Sequence, residues 1–169
     1  DRVWIDAHPD ITLPGDPYPG YHAMAVTACM GHGDAKIVAE LPAAFDPSKI
    51  LFVGLRNWER GEIKARQHQY GIKHLTPEEV AADSDALRAW LKSCGASKVV
   101  VHFDMDVLDP AEIVAAVGTD PDGMKIEAVI RVINDIAAEK ELVGLTVAEP
   151  MPRTAIRLRD MLGRLPLLE

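Results

Sequence analysis

Acidic residues gather at three points along the chain. The first is Asp6-Ala7-His8-Pro9-Asp10, the second Asp104-Met105-Asp106 with Asp109-Pro110 behind it, and the third Glu149 in Glu149-Pro150-Met151-Pro152. Carboxylates crowded into a partly buried site repel one another and cannot all ionise cheaply. A cation removes the conflict. One imidazole among hard oxygen donors suits Mn²⁺ or Mg²⁺ better than a structural zinc, and the set is large enough to hold two ions. In an extended segment residues i, i+2 and i+4 project to the same side, so Asp6, His8 and Asp10 can share a target, as can Asp104 and Asp106. A lone Asp-x-Asp at a strand end is commonly just a turn or a helix cap. Two such clusters, each following a hydrophobic strand, favour a metal instead. His32, His68, His74 and His102 have no such company and read as ordinary packing or surface histidines.

The elements that must carry these groups alternate. Short apolar runs at Val3–Ile5, Ile50–Gly54, Ile72–Leu75, Val99–Phe103 and Leu142–Val147 read as strands of a parallel sheet covered on both faces. Between them the spacing predicts helices over Ala23–Cys29, Glu59–Gln69, Pro77–Ser93, Ile126–Ala138 and Thr154–Leu162, the third started by a Thr76/Glu79 capping box and stopped by Gly95. Pro9–Gly20 is an irregular loop. Strand and helix in alternation give an α/β fold with crossover connections, and the acidic clusters sit where such sheets form their ligand crevice, at the C-terminal ends of strands.

With 169 residues, the chain is one domain, 1–169. Its net charge of −8 and three each of Trp, Tyr and Phe offer no phosphate-binding face or stacking platform, which argues against nucleic acid. No stretch approaches the roughly 18 apolar residues of a membrane helix, and no secretory leader is visible, so no membrane and a cytoplasmic location are expected. Cys29 and Cys94 read as small hydrophobes.

Taken together, the motifs resemble a family. Trp4-Ile5-Asp6-Ala7-His8-Pro9-Asp10 resembles the D-A-H-x-D signature of the ureohydrolases, the arginase, agmatinase and formimidoylglutamase superfamily. His102-Phe103-Asp104-Met105-Asp106-Val107-Leu108-Asp109-Pro110 resembles its S-x-D-x-D-x-x-D-P signature, Gly54-Leu55-Arg56 its G-x-R segment, and Glu149 with Pro152 its E-V-N-P motif. The resemblance implies a three-layer arginase-like fold, a parallel sheet with helices on both faces. Asp6–Asp10 can share metals with Asp104–Asp106 only if strands one and four are neighbours, and right-handed crossovers then give the order 5-4-1-2-3. It further implies up to two Mn²⁺ on Asp6, His8, Asp10, Asp104 and Asp106, with His22 shuttling a proton and Glu149 facing a substrate guanidinium. The expected activity is hydrolysis of a C–N bond in a small guanidino or linear amidine compound.

The chain also departs from the pattern. The family's upstream G-G-D-H-S segment, whose His is a further ligand, is not in this sequence, so the chain reads as the C-terminal two-thirds of the family domain with an incomplete binuclear site. His22-Ala23-Met24 stands for His-Gly-Met, and Ala111–Gly123 replaces a glycine- and threonine-rich loop. Two alternatives follow: a catalytically inactive metal-binding or interaction module, and a deacetylase-like amidohydrolase, against which stands the lack of a His-His pair. The strand Leu142–Val147 carries no charge or proline to protect it as an edge, so a homo-oligomer or association with an N-terminal segment is expected.

Overall fold

Ile50 to Val53 are all buried, as are Val3, Trp4 and Ile5, so these short β-branched and aromatic runs form the centre of a sheet packed on both faces. In the computed structural model, which describes residues 1–151 and 155–168, five parallel strands follow the order β3-β2-β1-β4-β5. They are β1 (Arg2–Ile5), β2 (Ile50–Val53), β3 (Lys73–Leu75), β4 (Lys98–Asp104) and β5 (Glu141–Ala148). This is the order required by bringing the two acidic clusters together. Among the described residues the helices are α1 (Ala25–Cys29), α2 (Ala35–Val38), α3 (Gly61–Tyr70), α4 (Asp85–Ser93), α5 (Ile126–Glu139) and α6 (Ala155–Leu162). Among the described residues no helix is long and apolar enough to cross a membrane.

Each face of the sheet has its own core. On one, Val3, Ile5, Leu51, Val53, Val101 and Phe103 pack against Leu87 and Leu91 of α4 and Val129 and Ile133 of α5. On the other, Trp4, Ile50 and Phe52 meet Val26, Met30 and Ile63 from the α1 and α3 side. The second layer stops short of β5. That strand has only exposed and half-buried positions, with Val143 48% exposed, so the expectation of cover on both faces fails at this edge. β5 also carries a bulge: Leu142 pairs with Val99 and Gly144 with Val100, leaving Val143 extra.

The helix expected over Pro77–Ser93 is interrupted. Its capping box forms, with Thr76 N–H on Glu79 Oε2 at 2.7 Å and Glu79 N–H on Thr76 Oγ1 at 3.4 Å, but only a 3₁₀ turn at Glu78–Val80 follows. Asp83 Oδ1 accepts Asp85 N–H at 2.9 Å and starts α4 afresh. The carbonyls freed at the break, those of Val80, Ala81 and Asp83, are taken up by the Arg131 guanidinium. α3 begins at Gly61 because Glu59 is left-handed, with φ 58°. A 3₁₀ turn at His22–Met24 precedes α1, and Gly95, at φ 76°, follows α4 as expected. Pro152 and Thr154 lie outside the described residues.

Candidate metal centre and cleft

Beyond Ile5 the chain leaves the sheet, and Asp6 is held at the strand end by two donors. Its Oδ2 accepts Trp4 Nε1–H at 3.0 Å and its Oδ1 accepts His8 N–H at 2.6 Å. β4 ends similarly: Asp104 Oδ1 accepts Asp106 N–H at 2.9 Å and caps a 3₁₀ turn over Met105–Val107. That turn alters the sequence expectation, because Asp104 and Asp106 no longer share a side by strand alternation. Asp106 instead reaches across to β1, accepting Ala7 N–H at 3.1 Å and meeting His8 Nδ1 at 2.8 Å.

Two sets of potential metal ligands result, Asp6–His8–Asp106 and Asp6–His102–Asp104, with the donor atoms of each within 4.8 Å of one another. Asp6 belongs to both. Asp10, at φ 50°, stands beside them and feels the charges of Asp104, Asp106 and Glu149, but it is in neither set.

The electrostatics match a centre built for cations. Burial, reinforced by Asp10 and the other carboxylates, raises Asp6 well above the usual carboxylate range. Burial and neighbouring acids bring Asp10 to about 8 and Asp104 to about 7. For His8, burial opposes the charge, but hydrogen bonds to Asp106 and Asp6 outweigh it and push the imidazole up to about 11. Asp106 is held low despite its burial by that same His8 contact. His102 goes the other way, to about 4, through burial and the nearby Arg2. Protons and one imidazolium thus neutralise the cluster, and a divalent ion can replace them. Buried carboxyls that hold protons near neutrality, together with imidazoles, make a donor set that fits Mn²⁺.

Above the cluster opens a cleft of about 210 Å³. His8, Asp10 and Asp106 contribute to its lining, together with His22 and Glu149. His22 is exposed, with Nε2 3.1 Å from Tyr18 Oη, and Glu149 follows β5 in a left-handed conformation, φ 57°. Five of the seven sequence-predicted residues therefore line one cleft, while Asp6 and Asp104 lie outside its lining and are tied to it through the backbone N–H groups of His8 and Asp106.

The roles of three residues were not anticipated, although Arg56 was noted as part of a motif. Asp120, from the loop after Pro110, places Oδ2 3.2 Å from His8 Nε2 and is anchored by Asn57 Nδ2–H at 2.7 Å. Nothing local in the sequence marks it. His102, read as an ordinary packing histidine, joins the cluster instead; one more step of the strand alternation back from Asp104 would have found it. Arg56 directs its guanidinium at five backbone carbonyls, those of Gly54, Asp106, Val107, Asp120 and Pro121, at 2.8–3.3 Å. It ties the Asp106 turn to the Asp120 loop.

The model of the arginase family matches residues 2–160. The chain belongs to the arginase family. Relatives in that family include the arginase of Entamoeba histolytica, 29% identical over 156 residues covering 89% of this chain and 52% of the relative. Arginase-1 of Xenopus laevis is 32% identical over 128 residues, 69% of this chain and 40% of that one. Among solved structures, Entamoeba histolytica arginase in complex with L-ornithine superposes with a TM-score of 0.86 at 22% identity, covering 97% of this chain and 58% of that chain. Formimidoylglutamase from Bacillus subtilis gives 0.70 at 16%, over 90% and 46%. The sheet and its flanking helices are thus the arginase-like α/β fold, and the chain spans about half the length of the arginase relatives it matches.

Proposed function

We propose that this arginase-family chain carries the metal-binding and catalytic core of a manganese-dependent ureohydrolase, which hydrolyses a C–N bond of a small guanidino or linear amidine compound. The observation that supports this most is the pair of carboxylate–imidazole sets sharing Asp6 beneath a cleft that Glu149 and His22 also line. Asp6, His8, Asp10, Asp104 and Asp106 would hold the metal, which when bound supplies an electrophilic centre that lowers the pKa of water toward ~7.

The chain's own groups do the rest. Glu149 offers two carboxylate oxygens to a planar cation, a geometry matched by paired N–H donors. His22 presents an imidazole at the cleft mouth, where Nε2 can take or give a proton to a departing amine; its Tyr18 contact orients the ring. Asp120 and Asn57 hold the far side of His8 and so fix the ring's angle. Ile11, Ile63 and Val117 line the cleft with apolar surface that excludes bulk water from the reacting bond.

The test is product release by Mn²⁺-loaded protein from a panel of guanidino and formimidoyl compounds. Urea or its analogue should form, and Glu149→Gln should raise KM for cationic substrates. Tight metal uptake with no turnover on any of them would favour the inactive metal-binding module, and deacylation of an N-acyl amine would favour the amidohydrolase alternative.

A further inference from the structure

Resting on the reading of this cleft as a metal site, we propose that His102 is itself a metal ligand, completing a second position with Asp6 and Asp104. The family signature has Ser where this chain has His102, so the imidazole is a feature of this sequence.

The geometry supports it in three ways. First, an imidazole nitrogen of His102 and one carboxylate oxygen each from Asp6 and Asp104 lie within 4.8 Å of one another, the same closeness found in the Asp6–His8–Asp106 set. Ligand atoms about 2.1 Å from a common ion are separated by roughly 3–4 Å, so small side-chain adjustments suffice. Second, the ring is already fixed. It stacks on Trp4 with centroids 3.7 Å apart and planes 16° from parallel, and Nδ1 lies 2.8 Å from Thr146 Oγ1. A ligating histidine usually gives its other ring N–H to an oxygen, which sets tautomer and angle. With Nδ1–H on Thr146, Nε2 is the nitrogen left for a cation. Third, Asp6 is arranged to serve both sets. One oxygen is tied toward Trp4, the neighbour of His102, and the other toward His8. Each oxygen keeps a second lone pair, so the carboxylate can bridge two ions. Each position would then have one imidazole and one member of the Asp104/Asp106 pair, joined through Asp6.

Titration of the 169-residue chain with Mn²⁺, counting free ion by its EPR signal and bound nitrogen by pulsed EPR, tests this without reference to turnover. The parent should bind two Mn²⁺ and show two inequivalent imidazole couplings. His102→Phe keeps an aromatic ring on Trp4 and should lose one Mn²⁺ and one coupling, while the other position keeps its Kd within about threefold. Thr146→Val should retain both ions and weaken one by roughly tenfold. A His102→Phe protein that keeps two Mn²⁺ at parental affinity overturns the assignment. So does a parent that binds Mn²⁺ with a single imidazole coupling, a result that stands even if the variant does not fold. A parent that binds no Mn²⁺ overturns both this inference and the metal-site reading beneath it.

Discussion

Replacing Asp104 by Asn tests whether the cluster is under electrostatic strain that a metal relieves. The substitution keeps the shape, and the Asn Oδ1 can still accept Asp106 N–H and cap the 3₁₀ turn. What changes is the charge. Burial, then Asp106, raise the Asp104 carboxyl from 3.8 to about 7. The sign follows from this: a raised folded pKa means ionisation costs stability increasingly as pH climbs from the unfolded value to the folded one, with the full cost above it. Three units at about 1.4 kcal/mol each give a ceiling of about 4 kcal/mol. Because Asp6, Asp10 and His8 readjust their protons together, we expect about half of that, ~2 kcal/mol. The metal-free Asn variant should therefore melt roughly 4–8 °C higher than the parent at pH 8, and the gap should close as pH falls toward ~4. Mn²⁺ at a hundredfold excess over Kd adds about 2.7 kcal/mol to the parent and should add little to the variant, which has lost an anionic ligand. Thermal unfolding by circular dichroism at several pH values, with and without Mn²⁺, reads both effects. An apo melting difference that does not change with pH, or an equal Mn²⁺ gain in both proteins, would refute the reasoning.

Other expectations concern the framework. Mn²⁺ affinity should rise with pH, more steeply below about 8 than above it, with release of protons, because Asp10 and His8, at about 8 and 11, must give theirs up; calorimetry in buffers of different ionisation enthalpy would show no proton release if this is wrong. Arg56→Lys should cost roughly 2–4 kcal/mol and speed amide exchange across the Asp120 loop, since an ammonium cannot reach five carbonyls in one plane. Gly54→Ala should destabilise by a similar amount, about 2–4 kcal/mol: Gly54 has φ 84°, and a Cβ there runs into Val107. The open β5 edge should promote self-association at high concentration, and Val143→Lys should suppress it; sedimentation showing a monomeric parent throughout would count against that.

Much of the architecture was legible because each signal was local. Runs such as Ile50–Val53 announced central strands, and the Asp6 and Asp104 motifs then dictated which strands had to be neighbours. The interruption at Asp83 and Ser84 was hidden because the apolar spacing of Val80, Leu87 and Leu91 continues across it; what breaks the helix is a side-chain oxygen, Asp83 Oδ1, competing for a backbone N–H. The site divided along the same line. Residues inside the motifs were readable, and Asp120 was not, since a loop delivers it to His8 and the contacts that hold it there come from Arg56 and Asn57, far away in sequence. His102 was overlooked for a different reason: it was judged by its sequence neighbours rather than by the face of the strand it occupies.

The extra residue in β5 changes the strand's parity partway along. Leu142, Leu145 and Val147 all pack toward the α4–α5 core, although 142 is even and the other two odd, while Thr146 stands opposite His102 on the other face. A regular strand cannot satisfy both halves. Straightening the bulge with Val143 kept in the ladder would force a choice: slip the first half and drag Leu142 out of the core, or slip the second half and turn Thr146 inward, carrying Glu149 one position along the sheet. Val143 is therefore a phase setting for the cleft, and alignment of any related sequence has to count from the bulge before deciding which residue after β5 stands at the cleft.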